Sequence, residues 1–402
     1  CDKIIEAPRE VFAEMCADYF GRPSQQLWVC GITGTNGKTT TALLLRNMLA
    51  QGGLQPGLIT TVATQWPGHD EASERTTPDA RTLQKTFRAM VDAGCRAAVM
   101  EVSSHAIDQA RIGGTRFALT AFTNLTQDHL DYHQTMEAYF ETKVAFFRHH
   151  PQVPAVINVD DPYGQRLFEM LKAEGHTRLY PYAASNIPAT FSATGIDATI
   201  PLGERTISFH TALCGRYNLA NLLCAATAAH ALGVSADAIL MAICEAQPQW
   251  GRLEPIVPHV FIDYAHTDDA LTNVLSTLKE CCKGRLICVF GCGGDRDKTK
   301  RPRMAAAVEA LADIAIVTSD NPRTEDPQAI INDILPGFQT MQPIVEVDRR
   351  EAIRRALSMR EAEDILLIAG KGHEPYQEIN GVKHPYSDAE AIRTVLMSYK
   401  NG

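Results

Sequence analysis

Seven consecutive residues, Gly34-Thr35-Asn36-Gly37-Lys38-Thr39-Thr40, combine what a chain of phosphates requires. Glycines let backbone N–H groups turn toward phosphate oxygens, a following helix adds its positive end, and Lys38 adds a full charge. The Thr39 hydroxyl can join a Mg²⁺ shell. The strict nucleotide loop places four residues between its two glycines, and Ile32 stands where the first glycine would be. The spacing is instead Gly31-x-x-Gly34-x-x-Gly37-Lys38-Thr39. A second group is Met100-Glu101-Val102-Ser103-Ser104-His105, which follows the apolar run Ala97-Ala98-Val99. Glu101 is therefore expected at the end of a strand beside the first one, where parallel sheets place ligands and a carboxylate can bind hydrated Mg²⁺.

Further along, Thr123-Asn124-Leu125-Thr126-Gln127-Asp128-His129-Leu130-Asp131-Tyr132-His133 sets two histidines four apart among acids. That spacing suits a transition-metal pair on a helix, but no third soft ligand accompanies it. A single histidine joining an oxygen-rich Mg²⁺ site is the better reading, with His133 a hydrogen-bonded residue at a helix start. Lys143 lies among aromatic residues in Tyr139–Phe147 and, from the residues alone, reads as a helix lysine snorkelling to solvent. The second half has three polar loops at expected strand ends: Gly291–Arg301 with Arg296, Asp320-Asn321-Pro322-Arg323, and Gly370-Lys371-Gly372-His373-Glu374. The first is a basic patch for an anion. An arginine beside an asparagine and acids suits a zwitterionic amino acid, the arginine pairing its carboxylate and the acids its ammonium.

The elements that must carry these groups alternate. A helix is expected at 8–19 on apolar Val11, Phe12, Met15 and Cys16, then a strand to Ile32, a helix to Gln51, and helices and strands in turn to about 173. This alternation means a mainly parallel sheet with helices on its faces. Residues 188–212 read as an antiparallel excursion, followed by a helix at about 218–232. Gln247-Pro248-Gln249-Trp250-Gly251-Arg252 reads as a hinge, and a second α/β series follows, with strands near 260–264, 286–291, 314–318, 343–347 and 365–369. The expected organisation is α/β throughout: a P-loop parallel-sheet ATPase domain over 1–252, with 1–27 an entry region, then a Rossmann-like, amino-acid-binding domain over 253–402.

The 402 residues are 45% hydrophobic and 21% charged, ordinary for a globular protein. A formal charge of −9 argues against general binding to nucleic acid or acidic membranes. Eleven scattered cysteines show no Cys-x-x-Cys pair, so they are read as reduced core residues of a cytoplasmic protein. No apolar run approaches the ~18 residues of a membrane span, and no secretory leader is visible. The sequence begins at Cys1 rather than Met, as a processed or shortened chain does.

Taken together, Gly34–Thr40, Glu101–His105, Asp128–His133, Lys143, Asn218-x-x-Asn221, Asp263-Tyr264-Ala265-His266 and Gly291–Arg301 resemble the Mur ligases of bacterial cell-wall synthesis. Their order is most like the member that adds the third residue of the peptide. The resemblance covers nearly the whole chain from about residue 8. It implies a Mg²⁺-dependent ligase in which ATP phosphorylates the free carboxylate of UDP-N-acetylmuramoyl-L-alanyl-D-glutamate. The amine of meso-2,6-diaminopimelate then attacks the acyl phosphate. By this resemblance Lys38 and the loop amides of Gly34–Thr40 hold phosphates, Thr39 and Glu101 hold one Mg²⁺, and His129 helps hold a second. Lys143 matches a carbamylated lysine whose new carboxylate places that second ion. Asn218, Asp263 and His266 look like nucleotide contacts. Thr76, Thr77, Ser103, Gln109 and Arg111 match positions that hold the muramoyl dipeptide. Arg296, Asp320, Asn321, Pro322, Arg323, Gly370 and Glu374 match the amino-acid site, and Asp320–Arg323 is the signature for diaminopimelate over lysine.

The family also carries an earlier domain that grips the uridine diphosphate. Only about 30 residues precede the loop here, so that domain is expected to be absent from this sequence. Asp268 stands where the family usually has proline, with little expected effect. Alternatives are a shortened or non-catalytic relative that binds ATP without turnover, or another superfamily ligase such as folylpolyglutamate synthase. A monomer, serving cell shape and division through the wall, is the family expectation.

Overall fold

A computed structural model describes residues 8–400 apart from Ala193, Gln249, Trp250 and Arg252. Of the hinge expected at 247–252, Gln249, Trp250 and Arg252 lie outside the described residues. The chain divides into two compact units. One comprises residues 1–189, 197–211 and 217–246, the other 190–196, 212–216 and 247–402.

The first unit is built on an eight-stranded sheet. Its order is His69–Ala72, Ala63–Trp66, Pro56–Ile59, Ala97–Glu101, Trp28–Thr33, Phe117–Phe122, Ala155–Asn158 and Leu179–Tyr182. The last five strands of that order run parallel, and so does Pro56–Ile59 against Ala97–Glu101. Only the two edge hairpin pairings are antiparallel. The central strands are apolar at nearly every position because helices cover both faces of a parallel sheet. Helix Lys38–Gln51 buries Ala42, Leu44, Leu45, Met48 and Leu49. Helix Met136–Arg148 buries Tyr139, Phe140, Val144, Phe146 and Phe147, and helix Ala80–Asp92 buries Leu83, Phe87 and Met90. Strands Arg205–Thr211, Gly195–Leu202 and Ala189–Ser192 form a separate three-stranded sheet where an excursion was expected.

Helix Arg9–Tyr19 forms as expected, but of the four apolar residues that marked it only Cys16 faces inward. Val11, Phe12 and Met15 are exposed, and Ala13, Cys16 and Ala17 are buried. The reason is the surface beneath. A Cβ at Gly113 would lie 2.7 Å from the Ala13 Cβ, and one at Gly114 2.7 Å from the Ala17 Cβ. So close an approach admits only small residues on the helix side.

In the second unit the sheet order is Glu254–Val257, Val260–Asp263, Ile365–Ala369, Leu286–Phe290, Ile314–Val317 and Ile344–Val345. All pairings are parallel except the first. Parallel register sends the residues after Asp263, Phe290, Val317 and Ala369 to one edge, the carboxyl edge where such sheets bind ligands. A hairpin of Tyr376–Ile379 and Val382–Pro385 pairs antiparallel, and Ile379 bridges to Arg323. Behind the sheet a buried ion pair joins two helices. Arg349, on Arg349–Met359, donates from Nε and Nη2 to the two oxygens of Asp388, which begins Asp388–Lys400, both at 2.8 Å.

Candidate active site

The phosphate loop leaves strand Trp28–Thr33 and enters helix Lys38–Gln51 through Gly37. Two of its glycines are obligatory. Gly34 (φ 149°) has no room for a Cβ, which would sit 1.9 Å from Thr123 Oγ1. Gly37 (φ 82°) would bring one 2.2 Å from Asn221 Oδ1. The next strand's exit braces the loop. Thr35 N donates to the Asn124 carbonyl at 2.9 Å, Asn36 N to Asn124 Oδ1 at 2.8 Å, and Thr123 Oγ1 to the Asn36 carbonyl at 2.6 Å. Lys38 curls back, its Nζ donating to the carbonyls of Gly34 (3.0 Å) and Thr35 (2.8 Å). Its ammonium thus hangs over the concavity that the loop encloses. Asn218 and Asn221, one turn apart on helix Arg216–Ala231, are buried behind this loop. Asn221 donates to Asn218 Oδ1 at 3.2 Å and accepts from Thr41 Oγ1 at 3.4 Å.

Register puts Glu101 directly opposite Ile32. Its buried carboxylate accepts from Thr39 Oγ1 at 2.7 Å and from Thr61 N and Oγ1 at 2.9 and 3.1 Å. Sequence reading missed Thr61, because it lies in a turn between two four-residue strands, Pro56–Ile59 and Ala63–Trp66, too short to show a period. Thr76 touches Thr61 through its hydroxyl at 3.1 Å. Thr77 Oγ1 accepts from Ser103 N (3.0 Å) and donates to the Glu101 carbonyl (2.9 Å). Arg111 donates to the Thr77 carbonyl at 3.0 Å and to Gln109 Oε1 at 2.6 Å. The residues expected around a dipeptide are thus one continuous hydrogen-bonded row beside Glu101.

Lys143 does not snorkel to solvent. It is buried, with Nζ donating to the Gly34 carbonyl at 3.1 Å and to Thr33 Oγ1 at 3.3 Å, and lying 4.7 Å from the Tyr139 ring centre. Burial pushes its ammonium well below the ordinary lysine value, and the charge of Lys38 pushes the same way. Helical period alone placed it among aromatics without showing that the loop covers that face. His129 adopts a left-handed backbone (φ 54°), and its ring lies 5.1 Å from His105. Burial lowers its pKa, opposed by Asp128. His133 Nε2 is taken up by Ser104 Oγ at 2.8 Å in the interior, so the two histidines do not converge on one ion.

Among the described residues no group of three or more His, Cys, Asp or Glu could by itself hold a metal. Thr39 and Glu101 nonetheless present two hard oxygens in contact. That fits Mg²⁺, which binds few protein ligands and keeps waters and phosphate oxygens around it. A cavity of about 490 Å³ lies elsewhere, at the far end of helix Lys38–Gln51, and the Arg46 guanidinium in it is tied to Asn47 and Gln65.

In the second unit Asp263 is buried, its two oxygens accepting from Leu253 N (2.6 Å) and Ala265 N (2.7 Å), which fixes the turn that exposes His266. The expected basic patch is only partly one. Arg301 turns inward and is buried between Glu325 (2.8 Å) and Asp333 (2.7 Å), and Lys298 also pairs with Glu325 at 3.0 Å. Arg301 pulls Glu325 down to about 2. Arg296 stays exposed. Asp320, Asn321, Arg323, Gly370 and Glu374 do gather at one sheet edge. Asn321 Nδ2 donates to Glu374 Oε2 at 2.8 Å. Arg323 donates to the Gly294 carbonyl at 2.6 Å and lies 3.5 Å from Glu378. Asp320 Oδ2 is buried with no hydrogen-bond partner among the described residues, 4.0 Å from Arg349.

A phosphate loop on one parallel sheet and a polar cluster at the edge of another define an ATP-dependent ligase of two α/β units. Family models agree: residues 32–229 match the Mur ligase middle domain and 251–372 the Mur ligase, glutamate ligase domain. The chain belongs to the Mur ligase family. More narrowly, it is 45% identical over 393 residues to the UDP-N-acetylmuramoyl-L-alanyl-D-glutamate--2,6-diaminopimelate ligase of Synechococcus elongatus, covering 95% of this chain and 79% of the relative. A solved structure of a ligase of that name aligns with a TM-score of 0.73 at 33% identity, over 98% of this chain and 83% of that one. Mycobacterium tuberculosis folylpolyglutamate synthase complexed with ADP aligns equally well, TM-score 0.73 over 91% and 92%, but at 20% identity it shares the fold alone.

Proposed function

We propose that this ligase joins meso-2,6-diaminopimelate to UDP-N-acetylmuramoyl-L-alanyl-D-glutamate at the expense of ATP. The observation that carries the reading is the contact of Thr39 with Glu101 beside Lys38, with the buried amine of Lys143 against the same loop. Loop amides and Lys38 hold the β- and γ-phosphates. Thr39 and Glu101 would hold Mg²⁺, which would offset charge on the phosphate oxygens. The D-glutamyl carboxylate attacks the γ-phosphorus, the bond to the β-phosphate oxygen breaks, and ADP leaves. An amine of the diamino acid then attacks the acyl carbon, loses a proton, and expels phosphate. Thr76, Thr77, Ser103, Gln109 and Arg111 hold the dipeptide, and Asn218 serves the nucleotide from behind the loop.

Burial of Lys143 favours its neutral amine, the form that adds CO₂. As a carbamate it would bring a carboxylate toward His129 for a second Mg²⁺. Arg296 and Arg323 pair with carboxylates of the amino acid, and the Oδ2 of Asp320, which has no hydrogen bond among the described residues, and the carboxylate of Glu374 suit its ammonium. Pro322 and Gly370 shape that loop edge. A site built for a second carboxylate rejects lysine strongly, since buried polar groups would be left unpaired. ATP and a UDP-linked precursor place the reaction in the cytoplasm, and its product serves the cell wall. Among the described residues no helix is long and apolar enough to cross a membrane. The test is phosphate release with ATP, Mg²⁺, the muramoyl dipeptide and each candidate amino acid. Release with meso-diaminopimelate and not with lysine is expected; none with any amino acid would refute the reading.

A further inference from the structure

Lys371 stands two residues beyond strand Ile365–Ala369, and its side chain is fully buried. Its Nζ lies 2.8 Å from Asn321 Oδ1 and 3.2 Å from Glu374 Oε2. An ammonium offers three donors and no acceptor, whereas a carboxamide has one face of each kind and nearly the same shape when turned over. Against Lys371, the Asn321 oxygen must face the ammonium. The Nδ2 end then meets Glu374 Oε2, as it does at 2.8 Å. The same Oδ1 also accepts the backbone N–H of Glu378 at 2.9 Å, which joins the hairpin to the loop. A half-turn of the carboxamide would set donor against donor at both Lys371 and Glu378. Lys371 also places a positive charge on Glu374 Oε2. Among the described residues Glu374 is bound through that oxygen only, which leaves Oε1 for a ligand.

We infer that Lys371 is a positioning residue of the amino-acid site. It sets the polarity of the Asn321 carboxamide and holds Glu374 by one oxygen, without touching the amino acid itself. This rests on the reading above of 320–323 and 370–374 as that site. Hydrogen bonds to charged groups carry enough energy that losing this one costs roughly tenfold or more in amino-acid affinity.

Steady-state kinetics on the full chain test it, comparing wild type, Lys371→Met, Asn321→Ala and the double variant with meso-diaminopimelate and ATP each varied. Lys371→Met is expected to raise the amino-acid KM about tenfold while the ATP KM stays within about twofold. In the Asn321→Ala background the same change should cost clearly less than in wild type, because the part of its effect that passes through Asn321 is already removed and only its hold on Glu374 remains. Equal rises in both KM values, or effects that multiply fully, overturn the inference. Should Lys371→Met fail to fold, Lys371→Gln must show the same split, since a carboxamide cannot impose donor-only polarity; a wild-type amino-acid KM there overturns it too. An active wild type with unshifted Lys371 variants sinks this inference alone. A wild type with no amino-acid-dependent phosphate release sinks it together with the function it rests on.

Discussion

Glu101 shows how much one carboxylate can be asked to do. Its oxygens hold Thr39 on the loop helix and Thr61 on the neighbouring turn, so it fixes two walls of the phosphate site before any ligand arrives. Replacing it by glutamine keeps the shape and an acceptor for Thr39 but removes the charge that a cation needs. Glu101→Gln is therefore expected to fold with near wild-type stability and to lose roughly 10²–10³ in kcat, the scale of losing one electrostatic group aimed at transition-state charge. The ATP KM should change far less. Thermal unfolding beside phosphate-release kinetics checks both halves. A variant that melts early would make Glu101 a brace and not a catalytic ligand.

Elements explain what could be read in advance. The loop at 34–40 and Glu101 were legible because their signals are local: glycine spacing, then an apolar run ending in a carboxylate. The mainly parallel sheet followed from the alternation of periods, though the order of its strands did not. Lys143, Arg301 and Lys371 were not legible, because what surrounds each is far away in sequence. Lys143 is 109 residues from the carbonyl it meets, and Arg301 is 24 from Glu325. Period shows a face but not what covers it. The hairpin at 376–385 was missed for a related reason, since its strands, one half-buried and one exposed, carry no apolar alternation.

Glu309 shows the same dependence on distant chain and has a measurable consequence. It lies on helix Lys300–Leu311 and accepts N–H bonds from Met341 (2.6 Å), Thr340 (2.7 Å) and Gln339 (2.9 Å), tying down the connection to strand Ile344–Val345. The Met341 amide, then those of Thr340 and Gln339, pull its carboxyl from 4.5 to about 2. A pKa depressed by folding gives stability that is present above the unfolded value and fades as pH falls toward the folded one. Glu309→Gln should therefore be less stable than wild type at pH 6, and the gap should narrow between about pH 4.5 and pH 2. Urea melts at pH 6 and pH 3 measure it. A gap that widens in acid contradicts the assignment.

At the scale of the molecule, two α/β units each bury their own core, and the residues assigned to phosphate and to amino acid fall in different units. The second unit's core includes a charge pair. Arg349 and Asp388 are both buried, share two hydrogen bonds, and are extended by Tyr386 Oη to Asp388 at 3.0 Å and by Arg349 to the Ala369 carbonyl at 2.9 Å. The Ala369 carbonyl ends the strand that delivers Gly370 and Glu374, so the pair supports the amino-acid edge from behind. Removing one partner leaves the other charged in the interior, which costs about 3–5 kcal/mol, whereas replacing both with apolar residues of similar volume is often close to neutral. Arg349→Met is expected to lower unfolding stability by that amount and to weaken amino-acid-dependent turnover. Nucleotide binding, assigned to the other unit, should persist below the new melting point. The double replacement Arg349→Met with Asp388→Leu should recover much of the stability but less of the activity, because the Ala369 carbonyl still loses its donor. Chemical denaturation of the three proteins, with nucleotide binding measured on each, decides the matter: a double variant no more stable than Arg349→Met would mean that the pair is held for its hydrogen-bond network and not merely for charge balance.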